Sequence, residues 1–192
     1  ETDAAAWSIS VGINAQVYVG RDAEADGTGG VIHIDVANDS WTDIGFEGES
    51  IPTIEALDDG TLLVTLALEG VWRTIDDGAN WTLQRFDMEV VSPSQNGPNG
   101  EHFFEFETIQ NGSVYLATWE GLVRSDDYGQ TWTRIHTALQ TTVRDVDLAY
   151  GQDEELLVLM ASYGGGLQLV DIDSSVAATL TGSGQGLYLR YA

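Results

Sequence analysis

The sequence predicts an all-β chain built as a β-propeller of four-stranded antiparallel blades. Three observations carry that expectation. One turn is spelled twice, as "TIDDGANWT" from Thr74 and as "SDDYGQTWT" from Ser125. The match extends around both turns, since "EGVWRTIDDGANWT" superposes on "EGLVRSDDYGQTWT" and "DDGTLLVTLALEG" on "QNGSVYLATWEG" with one residue of slip. Finally, short runs of β-branched, aromatic and leucine residues are split by Asp-Gly, Asn-Gly and Gly-Gly pairs, and no segment carries helical periodicity. Repeated units of four short strands are the signature of propeller blades.

Taken in order, the first unit covers about residues 5–45, where "NAQVYVG" and "GGVIHIDVANDSWT" supply strands and a Trp-Thr ending at Trp41. The second, 50–87, reads as the strands "IPTIEAL", "TLLVTLAL", "GVWRTI" and "WTLQRF". The third, 101–137, repeats it. The fourth, 142–192, keeps the strands in "EELLVLMAS" and "GGGLQLVDIDSS" but has lost the Asp and the Trp. Its terminal "GQGLYLRYA" reads as a closing strand that pairs with the first blade or completes the last. Between the second and third units, "EVVSPSQNGPNGEH" holds two of the three prolines and is expected to be a functional or mobile loop. Residues 1–192 are thus read as one propeller domain. Its four blades close alone, or belong to a ring of six to eight completed by further sequence or by a second copy.

Each position of the repeated turn has a physical task. The hydroxyl of Thr74 or Ser125 and the carboxylate of Asp76 or Asp127 can satisfy turn backbone that no ladder pairs. Gly78 and Gly129 supply positive φ. Asn80 and Thr131 add a small polar group, and Trp81 and Trp132, expected first in the next strand, anchor the corner to the core.

These residues resemble the Asp-box, or BNR repeat, Ser/Thr-x-Asp-x-Gly-x-Thr/Asn-Trp, of sialidases, sortilin-like receptors, xyloglucanase-like glycosidases and photosystem II assembly-factor propellers. The resemblance implies that Thr74, Asp76, Gly78, Asn80 and Trp81, with Ser125, Asp127, Gly129, Thr131 and Trp132, are structural and lie far from any site. A sialidase would show an Arg-Ile-Pro signature, yet "SIPT" has Ser50 in place of the Arg. Arg73 and Arg124 each stand one residue before a box, equivalent by repeat, which suits blade structure better than a converging clamp. Xyloglucanase-like enzymes resemble two large propellers around a cleft, and this chain is short for that. With no catalytic constellation matched and propeller faces that commonly present loops to proteins, the expected function is a non-catalytic, extracytoplasmic binding or assembly module, periplasmic or secreted, that uses its propeller faces for protein contact. The alternative is a glycan-active enzyme or a lectin.

Composition narrows the partners. The 192 residues carry 31 acidic and 7 basic side chains, the basic ones all Arg, for a net charge of −24. Nucleic acid and anionic membrane surfaces are poor partners, whereas basic proteins, including subunits of membrane complexes, would be attracted. An acidic surface without Lys suits high ionic strength or abundant divalent cations, hence a salt-adapted or extracytoplasmic setting. There is no Cys, and no apolar run approaches the roughly 18 residues of a membrane helix. "ETDAAAWSIS" has no basic start or apolar stretch, as in a processed form.

Two groups of residues are candidate sites. Aligning the first strands of the units puts Ser10, Glu55, Glu107 and Asp147 in one register, an acidic ring at one depth of the central channel. It is either a site for a cation or basic side chain or ordinary polar lining facing channel water. Asp22, Glu24 and Asp26 precede Gly27 as in the front half of a calcium loop, but His33 stands at the twelfth position where a bidentate Glu belongs. That loop is either a weak Ca²⁺ site or a solvated acidic hairpin. His33, His102 and His136 share no metal-ligand spacing, and no catalytic triad, phosphate loop or dinucleotide motif is present. Trp72 and Trp119 are read as blade-to-blade core or as exposed binding aromatics.

Overall fold

The structure, a computed structural model, describes residues 5–25, 27–66, 69–84, 103–109, 111–119, 121–135, 142–150, 156–162, 166–171, 176–182 and 187–191. Every element in them except one short 3₁₀ turn, Ile13–Ala15, is a strand. The first sheet comprises β1 (Ala6–Val11), β2 (Val17–Arg21), β3 (Gly30–Asp35) and β4 (Ser40–Gly45). The second comprises β5 (Ile54–Ala56), β6 (Leu62–Leu66), β7 (Gly70–Thr74) and β8 (Thr82–Gln84). In the third are β9 (Phe103–Ile109), β10 (Ser113–Thr118), β11 (Gly121–Ser125) and β12 (Thr133–Ile135). The fourth holds β13 (Val143–Tyr150), β14 (Leu156–Ser162), β15 (Gly166–Asp171), β16 (Val176–Gly182) and β17 (Leu187–Tyr191). Each sheet is an antiparallel meander in chain order, and the fourth has five strands because β17 pairs with β16. The terminal strand therefore extends the last blade.

Apolar side chains alternate along these strands, so each sheet has two faces to bury, and it buries them against its neighbours. Between the first and second sheets lie Tyr18, Val31, Ile51, Ile54, Leu62 and Val64, with Trp72 and Trp81 packed against them. Leu57, Leu63 and Val71 meet Phe106, Leu116 and Val123 between the second and third. Tyr115, Ala117 and Leu122 meet Val143, Val146, Val158 and Met160 between the third and fourth. Trp72 thus belongs to blade packing, its ring 5.5 Å from that of Phe46. Trp119 is partly buried after β10.

The repeated turns fold alike. Thr74 Oγ1 donates to Asp76 Oδ1 (2.8 Å) and accepts from the Gly78 amide (3.1 Å). The two carboxylate oxygens of Asp76 accept from the amide (2.8 Å) and the side chain (2.7 Å) of Asn80. Ser125, Asp127, Gly129 and Thr131 make the same four bonds. Hydrogen bonds from Asn80 and Thr74 hold the Asp76 carboxyl below the usual range. At Asp127, burial works upward, but the bonds from Thr131 and Ser125 prevail and its pKa is also lowered. The tryptophans differ from expectation in one respect: β8 starts at Thr82 and β12 at Thr133, one residue later. Trp81 donates its indole N–H to the Ile44 carbonyl of the preceding blade (2.9 Å) and Trp132 to the Gly129 carbonyl of its own turn (3.1 Å), so both anchor the corner just ahead of the strand.

Candidate functional site

First strands of neighbouring sheets meet, β1 against β5 and β9 against β13. Ser10, Glu55, Glu107 and Asp147 all sit on these strands. Ser10 Oγ accepts the Ala56 amide (3.0 Å) and donates to Glu55 Oε2 (3.1 Å), while Thr108 Oγ1 reaches Glu55 Oε1 (3.3 Å). Glu55 is therefore held between a hydroxyl from the blade before it and one from the blade after it. Burial pushes its pKa up; the two hydroxyls work against the rise and Glu107 adds to it.

Glu107 meets Asp147 from the next blade. Burial, then the charges of Asp147 and Asp145, raise its pKa. Two further carboxylates join them that the register argument did not name, Glu105 and Asp145. Glu105, though its surface is exposed, has a pKa raised to about 7 by lost hydration, by a hydrogen bond with Asp145 and by the charges of Asp145, Glu107 and Asp147. A signal for both was present: "FEFE" and "RDVD" place acids two apart on strands, hence on one face. None of the ion pairs between described residues involves these five carboxylates.

The candidate calcium loop is a tight hairpin end. Asp22 Oδ1 accepts from the Ala23 amide (2.9 Å) and from Ser50 Oγ (2.5 Å), and the Glu24 amide bonds to the Thr28 carbonyl (2.9 Å). Asp26 lies outside the described residues, as do His102, His136 and the Pro-containing 89–102 connection. His33 faces away from that loop. It stacks on Tyr18 (4.9 Å), and its Nδ1 lies 3.1 Å from Asp77 of the second blade's turn, which also accepts the Tyr18 hydroxyl at 2.9 Å. Among the described residues no group of three His, Cys, Asp or Glu side chains is arranged to hold a metal ion. Arg73 and Arg124, equivalent by repeat, act differently: Arg73 reaches the next blade, while Arg124 pairs with Asp126 (2.6 Å) beside the Tyr115 ring.

No protein-family model matches the sequence, and no curated protein matches it. Solved structures do match its fold. The GH74 enzyme of Niastella koreensis aligns over 94% of this chain and 30% of its own, with a TM-score of 0.64 at 15% identity. YCF48, solved bound to a D1 peptide, aligns over 100% and 62%, with 0.59 at 16%. An extracellular domain of the B. thetaiotaomicron two-component system BT4673 aligns over 97% and 23%, with 0.66 at 14%. The chain is thus a β-propeller in fold, and it spans less than two thirds of each of these relatives. They include a glycoside hydrolase and a peptide-bound protein, so the likeness carries fold alone. Among the described residues no helix is long and apolar enough to cross a membrane.

Proposed function

We propose that this chain is an Asp-box propeller acting as a non-catalytic binding or assembly module outside the cytoplasm, one that receives basic side chains of a partner protein at its central carboxylates. The observation that carries the reading is the convergence of Glu55, Glu105, Glu107, Asp145 and Asp147 on the first strands of their sheets, outside every ion pair between described residues. Such a cluster is costly in isolation, because like charges raise one another's pKa and resist ionisation together. An arriving guanidinium or ammonium removes that cost and gains charge-assisted hydrogen bonds. The net charge of −24 steers basic partners toward it. The extracytoplasmic setting is supported by the acidic, Lys-free surface and by the likeness to an extracellular domain. Within this reading the Asp22–Gly30 hairpin is a weak calcium loop.

The test is titration with an arginine-rich peptide at two salt concentrations. Wild type is expected to bind, with affinity falling as salt rises, and Glu105→Gln/Glu107→Gln to bind at least tenfold more weakly. Equal binding by both would sink the reading. One observation favours the alternative of a glycan-active enzyme: a carboxyl whose pKa is raised to about 7 stands beside further carboxylates, and a raised acid next to a second carboxyl is the pairing such hydrolysis uses. Turnover of a neutral β-glucan that Glu105→Gln abolishes would move the assignment to that class.

A further inference from the structure

Three asparagines stand in the pattern Asn-x-Ser/Thr with a residue other than Pro between: "NDS" from Asn38, "NWT" from Asn80 and "NGS" from Asn111. Such a triplet is an acceptor for an N-linked glycan when it lies on an accessible surface turn. Asn38 is in the β3–β4 turn, Asn80 in the box turn before β8, and Asn111 in the β9–β10 turn. In a four-stranded meander the first and third connections share an end, so each triplet stands at the end of its sheet that carries the box turns.

The fold treats the three differently. At Asn111 the hydroxyl is closed off: Ser113 is 4% exposed, and its Oγ donates to Asp126 Oδ1 (2.9 Å) while its amide donates to Asn111 Oδ1 (3.0 Å). Gly112 between them is buried, with the Tyr128 ring where a Cβ would stand. At Asn80 the side-chain amide donates to Asp76 Oδ2 (2.7 Å), its backbone N–H donates to Asp76 Oδ1 (2.8 Å), and Trp81 is pinned to the Ile44 carbonyl of the preceding blade. Asn38, Asp39 and Ser40 are exposed at all three positions, which neither other triplet is. The Asn38 amide donates to Asp35 Oδ2 (2.6 Å), but an amide carries two N–H donors and water can replace this one at an exposed turn.

We propose that Asn38 is the acceptor of an N-linked glycan and that the fold closes Asn80 and Asn111. In the transfer, Asn38 Nδ2 bonds to C1 of the first sugar of an oligosaccharide carried on a lipid diphosphate. The C1–O bond to the diphosphate breaks, the lipid diphosphate leaves with that oxygen and its electron pair, and one amide proton passes to solvent; nothing is oxidised or reduced. The inference rests on the extracytoplasmic part of the proposed function, since this modification belongs to secreted chains. It does not draw on the carboxylate cluster, which stands on other blades.

The folded chain, incubated with an oligosaccharyltransferase that accepts Asn-x-Ser/Thr and with its lipid-diphosphate oligosaccharide, tests this. Cleavage after Arg puts the triplets on separate peptides, 22–73, 74–85 and 86–124. Mass spectrometry is expected to find the glycan on 22–73 and none on the other two, whereas free peptides spanning 34–44 and 107–117 are expected to be modified alike. Asn38→Gln and Ser40→Ala, both at exposed turn positions, are each expected to leave 22–73 bare, and Ser40→Thr to keep the glycan. A folded chain bare at 22–73 while the free 34–44 peptide is modified would overturn the proposal, as would equal glycan on 86–124. Export is read separately by cell fractionation: a chain confined to the cytoplasm would overturn the extracytoplasmic reading and this proposal together, whereas an exported chain that stays bare at Asn38 overturns this proposal alone.

Discussion

Arg73 on β7 donates its Nε–H to the Tyr128 carbonyl, 2.7 Å away in the repeated turn of the next blade, and its NH2 group reaches Thr61 Oγ1 at 3.2 Å. One cation thereby ties the turn of the third blade to the body of the second. Arg73→Met keeps the apolar stem and removes these bonds, with an expected loss of about 1–3 kcal/mol. Arg124→Met removes only a surface pair with Asp126 and a ring contact, and is expected to cost less than about 1 kcal/mol. Denaturant midpoints at matched salt decide it; equal losses would show that the inter-blade bond contributes nothing special.

Stability is expected to decline as pH rises from about 4.5 to about 7. Glu105 has its folded pKa raised to about 7, and Glu55 and Glu107 are raised as well, so the folded chain holds protons that the unfolded chain has released. With more protons bound in the folded state, the slope of unfolding free energy against pH is negative across that window. Asp76 and Asp127 act in the opposite sense. Their lowered folded pKa values give stability that is present above the ordinary Asp range and lost as pH falls through the folded values. Melting temperature is therefore expected to peak in mild acid. Glu105→Gln should flatten the decline toward neutrality and leave the acid limb in place; an unaltered profile would mean that the cluster is not coupled to folding.

The blades were legible in the sequence because their signals are local: alternation, Asp-Gly turns and a corner whose hydroxyl, carboxylate and glycine bond to their own backbone. The register of Glu55 and Glu107 could be read for the same reason, each standing five residues before a turn glycine. What lay beyond reading depends on pairs distant in the chain. The Asp145 contact with Glu105 joins two neighbouring blades and follows a bulge at Val143/Asp145 that resets the β13 register. Arg73 and Arg124 look equivalent in the repeat, but only Arg73 has a following box turn within reach. Its partner belongs to the next blade, where the fourth has lost the motif. Ile9, 66% exposed, and Ile54, buried, are likewise the same residue type on a strand, and alternation alone cannot tell them apart.

Calcium is expected to stabilise the Asp22–Gly30 hairpin only slightly. One oxygen of Asp22 is already taken by Ala23 and Ser50, which leaves fewer free ligands than a full loop supplies. At millimolar calcium, in the range of weak extracellular sites, the melting temperature should rise by a degree or two, on the order expected near half-saturation. Sodium of equal ionic strength is the control, and Glu24→Gln should remove the excess. An excess that persists in Glu24→Gln would place any calcium elsewhere.

The sharpest stability contrast concerns the two turn glycines, which do more than adopt positive φ. Gly78 has φ +84° and Gly129 φ +76°, and each turn also presses on the blade before it. A Cβ on Gly78 would lie 2.6 Å from the Ile44 carbonyl oxygen, and one on Gly129 would lie 2.6 Å from Leu63 Cδ2. Both Ala variants incur about 1–2 kcal/mol for the left-handed conformation. The remaining cost depends on what must move. Leu63 is a fully buried side chain that can shift within its cluster, whereas the Ile44 carbonyl is backbone and accepts the Trp81 indole. Displacing it breaks that bond and disturbs the first blade's last strand. Gly78→Ala is therefore expected to lose more than Gly129→Ala, about 3–5 against about 2–4 kcal/mol. Chemical denaturation of the two variants, with Trp fluorescence reporting the blade interfaces, gives the order. A larger loss at Gly129 would mean that the Leu63 cluster is the stiffer wall, and that the third blade depends more on its turn than the second does.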